Sequence, residues 1–109
     1  MKKTDPNKAV DYILANAGKF AQAKANRVFI EEFRKSKKAL LMAQSTAEAA
    51  NAREQFAYGH PEYIELLQGL KEAVETEEKL KWELEAARLR VDVWRTQEAT
   101  NRNQERATQ

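Results

Sequence analysis

Few groups in this chain are suited to acid, base or metal chemistry. His60 is the only histidine, there is no cysteine, and the densest carboxylate run is Glu75, Glu77 and Glu78. Glu-x-x-His metal spacing is missing, so those glutamates have no imidazole to complete a site and read as a solvated acidic face. His60 stands between Gly59 and Pro61, a place that a turn explains without any proton-transfer role. No phosphate loop, dinucleotide fingerprint or nucleophile elbow occurs. The reading is a non-enzymatic protein with no catalytic residue, no cofactor and no metal, acting by binding.

Positive charge offers one binding chemistry. Arg27 and the run Arg34-Lys35-Ser36-Lys37-Lys38 form one group, and Arg88, Arg95, Arg102 and Arg106 follow at spacings of seven, seven and four. That spacing keeps the arginines near one helix face, where guanidinium groups can follow a phosphate backbone. The candidate nucleic-acid-binding residues are therefore Arg27, Arg34, Lys35, Lys37, Lys38, Arg88, Arg95 and Arg102. Charge segregation supplies the competing reading. Residues 1–38 carry ten Lys/Arg and four Asp/Glu, residues 39–86 carry four and ten, and residues 87–109 carry five and three. Pairing between these blocks would absorb the basic run, fixing alignment more than stability because each exposed pair contributes only about 0–1 kcal/mol.

Apolar surface offers the other chemistry. Ile64, Trp82, Ala86, Leu89 and Val93 widen the apolar face of the second half of the chain beyond what one facing helix covers, and together with Trp94 are the candidate partner interface. The tryptophans are of a type that stacks on bases, although beside leucine at helical spacing they read first as packing surface.

The elements that carry these residues are all helical. Three Gly and two Pro among 109 residues, with abundant Ala, Glu, Lys, Gln and Arg, give an all-α chain of one domain. Asp5-Pro6 opens a short helix over 5–17, with Val10, Ile13, Leu14 and Ala17 as its apolar stripe and Gly18 to terminate or kink it. A long helix is expected over 20–58. Its seam of Phe29, Phe33, Ser36, Leu40, Ala43, Ala47 and Ala50 alternates fours and threes, as in coiled coils. Ser45 and Glu48 have capping-box spacing, and the alternative is a break near Gln44-Ser45. Gly59, in left-handed conformation, and Pro61 then reverse the chain, and a second long helix runs over 61–103 before a frayed tail at 104–109. An antiparallel hairpin follows, in which residues whose numbers sum to roughly 119 face each other and 34–38 lie opposite 81–85. Two long helices bury little alone, so pairing into a dimeric helical bundle is expected.

No run of about 18 apolar residues occurs and no signal-like segment follows the basic start, so the expected location is the bacterial cytoplasm, without a membrane partner. Four strings, Lys24-Ala25-Asn26-Arg27-Val28-Phe29-Ile30-Glu31-Glu32-Phe33-Arg34-Lys35-Ser36-Lys37-Lys38-Ala39-Leu40-Leu41-Met42, Tyr58-Gly59-His60-Pro61-Glu62-Tyr63, Glu77-Glu78-Lys79-Leu80-Lys81-Trp82 and Val91-Asp92-Val93-Trp94-Arg95, resemble a family of small uncharacterised helical proteins of tailed bacteriophages and prophages over about residues 20–106. That resemblance implies an accessory role in DNA recombination or replication. The alternatives are a protein-interaction module that inhibits or adapts a host factor, such as a nuclease or defence component, and a structural subunit of a helical assembly. The implied partners are a second copy of the chain, DNA, and a host or phage protein.

Overall fold

The computed structural model describes residues 5–108; the first four residues, and Gln109 at the end of the expected tail, lie outside them. The protein is all-α, with α1 over Pro6–Gln44, α2 over Ala50–Gly59 and α3 over Pro61–Thr108. Asp5 caps α1 as its residue type suggests, its Oδ1 accepting the N–H groups of Asn7 at 2.9 Å and Lys8 at 3.3 Å. These bonds satisfy donors left unpaired in the first turn.

Four local expectations are corrected. Gly18 does not end a helix: α1 is continuous through it, because one interior glycine costs only about 1 kcal/mol and good helix formers flank it on both sides. The interruption comes instead after Gln44. There the Ser45 N–H bonds the Met42 carbonyl at 3.1 Å and Ser45 Oγ accepts the Ala47 N–H at 3.2 Å, a local turn that competes with helix. Ser45 and Glu48 form no capping box, since α2 starts from an extended Ala49 without a side-chain cap. Gly59 is not left-handed either. His60 makes the bend in extended conformation, φ −69° and ψ 136°, as a residue before proline is driven to do. Its Nδ1 accepts the Glu62 N–H at 3.1 Å, which gives the lone histidine a capping role at the start of α3. The tail, expected to fray from residue 104, is helical to Thr108.

The chain divides into two compact units: one comprises the chain up to Phe20 and from Lys79 onward, the other Ala21–Glu78. In the Ala21–Glu78 unit, Leu41 of α1, Ala57 of α2 and Tyr63 of α3 form the buried cluster, with Met42 packed against it. The Tyr58 and Tyr63 rings meet edge to face at 5.3 Å, and Lys38 Nζ lies 4.8 Å from the Tyr58 ring centre. In the other unit Ala9 and Ala87 are buried and the Tyr12 hydroxyl donates to a Glu83 carboxylate oxygen. The apolar stripe read from the sequence is rotated there: Val10 and Leu14 are exposed, Leu14 by 74%, while Ala9, Tyr12, Ile13, Asn16 and Phe20 are the more covered positions.

Candidate binding surfaces

α3 positions the apolar candidate in the unit that contains Lys79 onward. Trp82, Ala86, Leu89 and Val93 follow in steps of four, three and four, which at 3.6 residues per turn keeps them on one face. All four are exposed, Trp82 by 62% and Leu89 by 50%. Lys81 Nζ stands 5.6 Å from the centre of the Trp82 ring. Trp94 departs from the expected interface. One residue beyond Val93, it is rotated about 100° from the stripe and is half-buried. Ile64 is exposed, but on the Ala21–Glu78 unit.

The cations meet carboxylates at short range, though not in the expected register. Arg27 makes a bidentate pair with Glu77, Nε to Oε2 at 2.5 Å and Nη2 to Oε1 at 3.0 Å, and Nη1 reaches Glu31 at 3.0 Å. The bond to Glu77 drives the Arg27 pKa upward, burial opposes it, and Glu31 adds to the rise. Glu77, expected on a solvated face, is therefore buried, while Glu75 and Glu78 are exposed. Lys37 pairs with Glu62 at 2.9 Å and Lys38 with Glu54 at 3.3 Å, rather than with residues 81–85. The physical reason is the end of α1 at Gln44: the turn and α2 take up chain that the expected hairpin assigned to one uninterrupted helix.

Lys35 pairs with Glu32 at 3.6 Å. Arg88 bonds Glu85 at 2.5 Å and Asp92 at 3.2 Å, and Arg95 reaches Asp92 at 4.0 Å. The Glu85 contact holds the Arg88 pKa above its ordinary value and that of Glu85 below. Among the described residues Arg34, Arg102 and Arg106 are exposed and have no ion-pair partner. The candidate cations fall in both units, Arg27 to Lys38 in one and Arg88 to Arg102 in the other.

Donation to Glu83 raises the pKa of the Tyr12 phenol, so that hydroxyl holds its proton more firmly than an ordinary tyrosine and is a poorer nucleophile at neutral pH. Among the described residues no group of three His, Asp or Glu side chains is placed to hold a metal ion, and no helix is long and apolar enough to cross a membrane. Sequence reasoning missed the partners Glu54 of Lys38 and Glu83 of Tyr12. The second pair is separated by 71 positions, and nothing in local spacing signals it. No family model, curated protein or solved structure matches the chain.

Proposed function

We propose that this protein works by binding another protein through the Trp82, Ala86, Leu89 and Val93 stripe, on a helical hairpin that pairs with a second copy of itself. One observation carries the reading: a tryptophan, a leucine and a valine in helical register, each about half exposed or more. Tryptophan anchors set among aliphatic neighbours dominate binding energy at protein interfaces, and contiguous apolar surface of this kind marks contact sites. The resemblance to phage-encoded helical proteins supports the bacterial cytoplasm as the place and a host factor or phage protein as the partner. Truncating an interfacial anchor costs about 2 kcal/mol or more, so Trp82→Ala should weaken capture by roughly thirtyfold. The experiment is capture of a bacterial partner from lysate by the native chain and by a Trp82→Asp, Leu89→Asp variant of unchanged helical content. Equal capture by both removes the stripe from the account.

A second reading, DNA binding, is favoured by the exposed and carboxylate-free Arg102 and Arg106. The pairing of Arg88 with Glu85 and Asp92 reduces the field available to it. With Arg95, these arginines can neutralise only a few phosphates. The slope of log K against log salt should then be no steeper than about −3. Anisotropy titrations with single- and double-stranded DNA at two salt concentrations test it, and absence of binding at low salt eliminates it.

A further inference from the structure

Two stripes at helical spacing run along α1 within the Ala21–Glu78 unit, and only one of them is covered. Arg27, Lys37 and Leu41 belong to the covered stripe: Arg27 meets Glu77, Lys37 meets Glu62, and Leu41 is fully buried beside Ala57 and Tyr63. The other stripe is Phe29, Phe33, Ser36, Leu40 and Ala43. It keeps the four-three alternation of a coiled-coil seam, yet every member is exposed, Phe29 by 64% and Leu40 by 57%. The Phe29 and Phe33 rings stack on each other with centres 5.8 Å apart. The best heptad seam of α1 is thus left without a facing helix from its own unit.

The geometry points to a second copy of this chain as the occupant, its α1 laid antiparallel on this seam about a two-fold axis at Ser36, an inference that rests on the self-pairing proposed above. A two-fold interface must be its own complement, and this stripe is. With Ser36 on the axis, Phe29 faces Ala43 of the second copy, Phe33 faces Leu40, and the two serines meet. Large groups oppose small ones at both ends. A parallel pairing would stack phenylalanine on phenylalanine at one end and alanine on alanine at the other, wide in one place and narrow in the next.

Charge permits the same arrangement. The two cations that flank the axis carry counter-charges within their own chain, Lys37 from Glu62 at 2.9 Å and Lys35 from Glu32 at 3.6 Å, and Arg34, which has none, lies about 200° round the helix from Ser36, on the side away from the seam. Lys38 is held by Glu54 on the side of α2. Area permits it as well. Aromatic side chains bring about 150–250 Å² each, and the exposed parts of Phe29, Phe33 and Leu40 amount to on the order of 300 Å². That is more than a third of the roughly 800 Å² that each partner buries in a standard interface. Phe33 also lines, with Ile30 and Leu66, a cavity of about 400 Å³ beside the seam, into which the contact can extend.

Cysteine cross-linking of the full chain tests the arrangement, since the protein has no cysteine of its own. Under mild oxidation Ser36→Cys should convert most of the protein to a disulfide-linked dimer. Ala43→Cys should remain uncross-linked, because the two positions stand roughly 21 Å apart along antiparallel helices and a disulfide requires Cα atoms within about 7 Å. A third variant, Phe29→Glu with Leu40→Glu, should lower the light-scattering mass from dimer to monomer while the helical circular dichroism persists. Cross-linking of Ala43→Cys overturns the antiparallel seam. A dimeric mass without Ser36→Cys cross-linking overturns the seam and leaves self-pairing intact. A monomeric mass at every concentration overturns both.

Discussion

Replacing Gly18 by alanine distinguishes a continuous α1 from two helices joined at a glycine stop. Gly18 sits inside the helix Pro6–Gln44, its φ is not positive, and a Cβ built on it meets nothing within 4 Å. Nothing in the fold therefore requires glycine there. An interior glycine is less favourable than alanine by about 0.8–1 kcal/mol, in part because it leaves the unfolded chain more freedom to lose. Gly18→Ala should accordingly raise the unfolding free energy by about 1 kcal/mol and the melting midpoint by roughly 4 °C, the lower end of the shift expected for a small domain. Gly69, interior to α3 and equally open, supplies a companion change in the other unit. Its alanine variant should gain a similar amount, and the double variant should be additive within about 0.5 kcal/mol. Urea melts followed by circular dichroism at one fixed protein concentration measure both, since self-association makes apparent stability depend on concentration. A loss of stability for Gly18→Ala would show that Gly18 needs a conformation closed to alanine, and the unbroken α1 would have to be abandoned.

Leu41→Ala removes the one large side chain that is fully buried among the described residues and should cost about 2–4 kcal/mol in the same melts; a cost under about 1 kcal/mol would place Leu41 outside any core. Stability should form a plateau in pH with a fall on either side. Lys37 and Arg88 hold Glu62 and Glu85 below the ordinary carboxylate value of 4.5, so their contribution is present above that pH and is lost as pH falls through the depressed folded values. The bond to Tyr58, and after it Glu54, raises Lys38 above 10.5, and Glu83 raises Tyr12 above 10.0. Their contribution is present below those values and disappears as pH rises through the folded ones. Thermal midpoints from about pH 3 to pH 11, at low and high salt, test this, and because these pairs face solvent both flanks should flatten as salt is added.

Much of the architecture can be read from local chemistry. Asp5 before Pro6 and Pro61 after His60 mark helix starts in one dimension because proline forbids helix for the residue before it, and the structure begins α1 and α3 at those prolines. Gly18 was misleading because a cost of about 1 kcal/mol is small against the propagation of helix through its neighbours, which no single residue reveals. The pairing of basic α1 with acidic α3 was visible as charge segregation, but its register depended on where α1 stopped. Ser45 hinted at that stop, and only the competition between its hydroxyl and the helix decided it. Spacing alone marked Trp82, Ala86, Leu89 and Val93 as one face. It did not tell the open seam of α1 from the covered one, since both repeat at helical intervals and the difference lies in long-range partners such as Glu77 and Glu62.

The claim that the Trp82 stripe is the binding surface is tested most directly by the emission of Trp82 itself. In a Trp94→Phe variant Trp82 is the only tryptophan, and its exposure predicts a spectrum like that of indole in water for the free protein. Addition of the purified captured partner should move that emission to the blue as the ring is desolvated, with a midpoint matching the dissociation constant. Saturated binding with an unmoved spectrum would contradict the account.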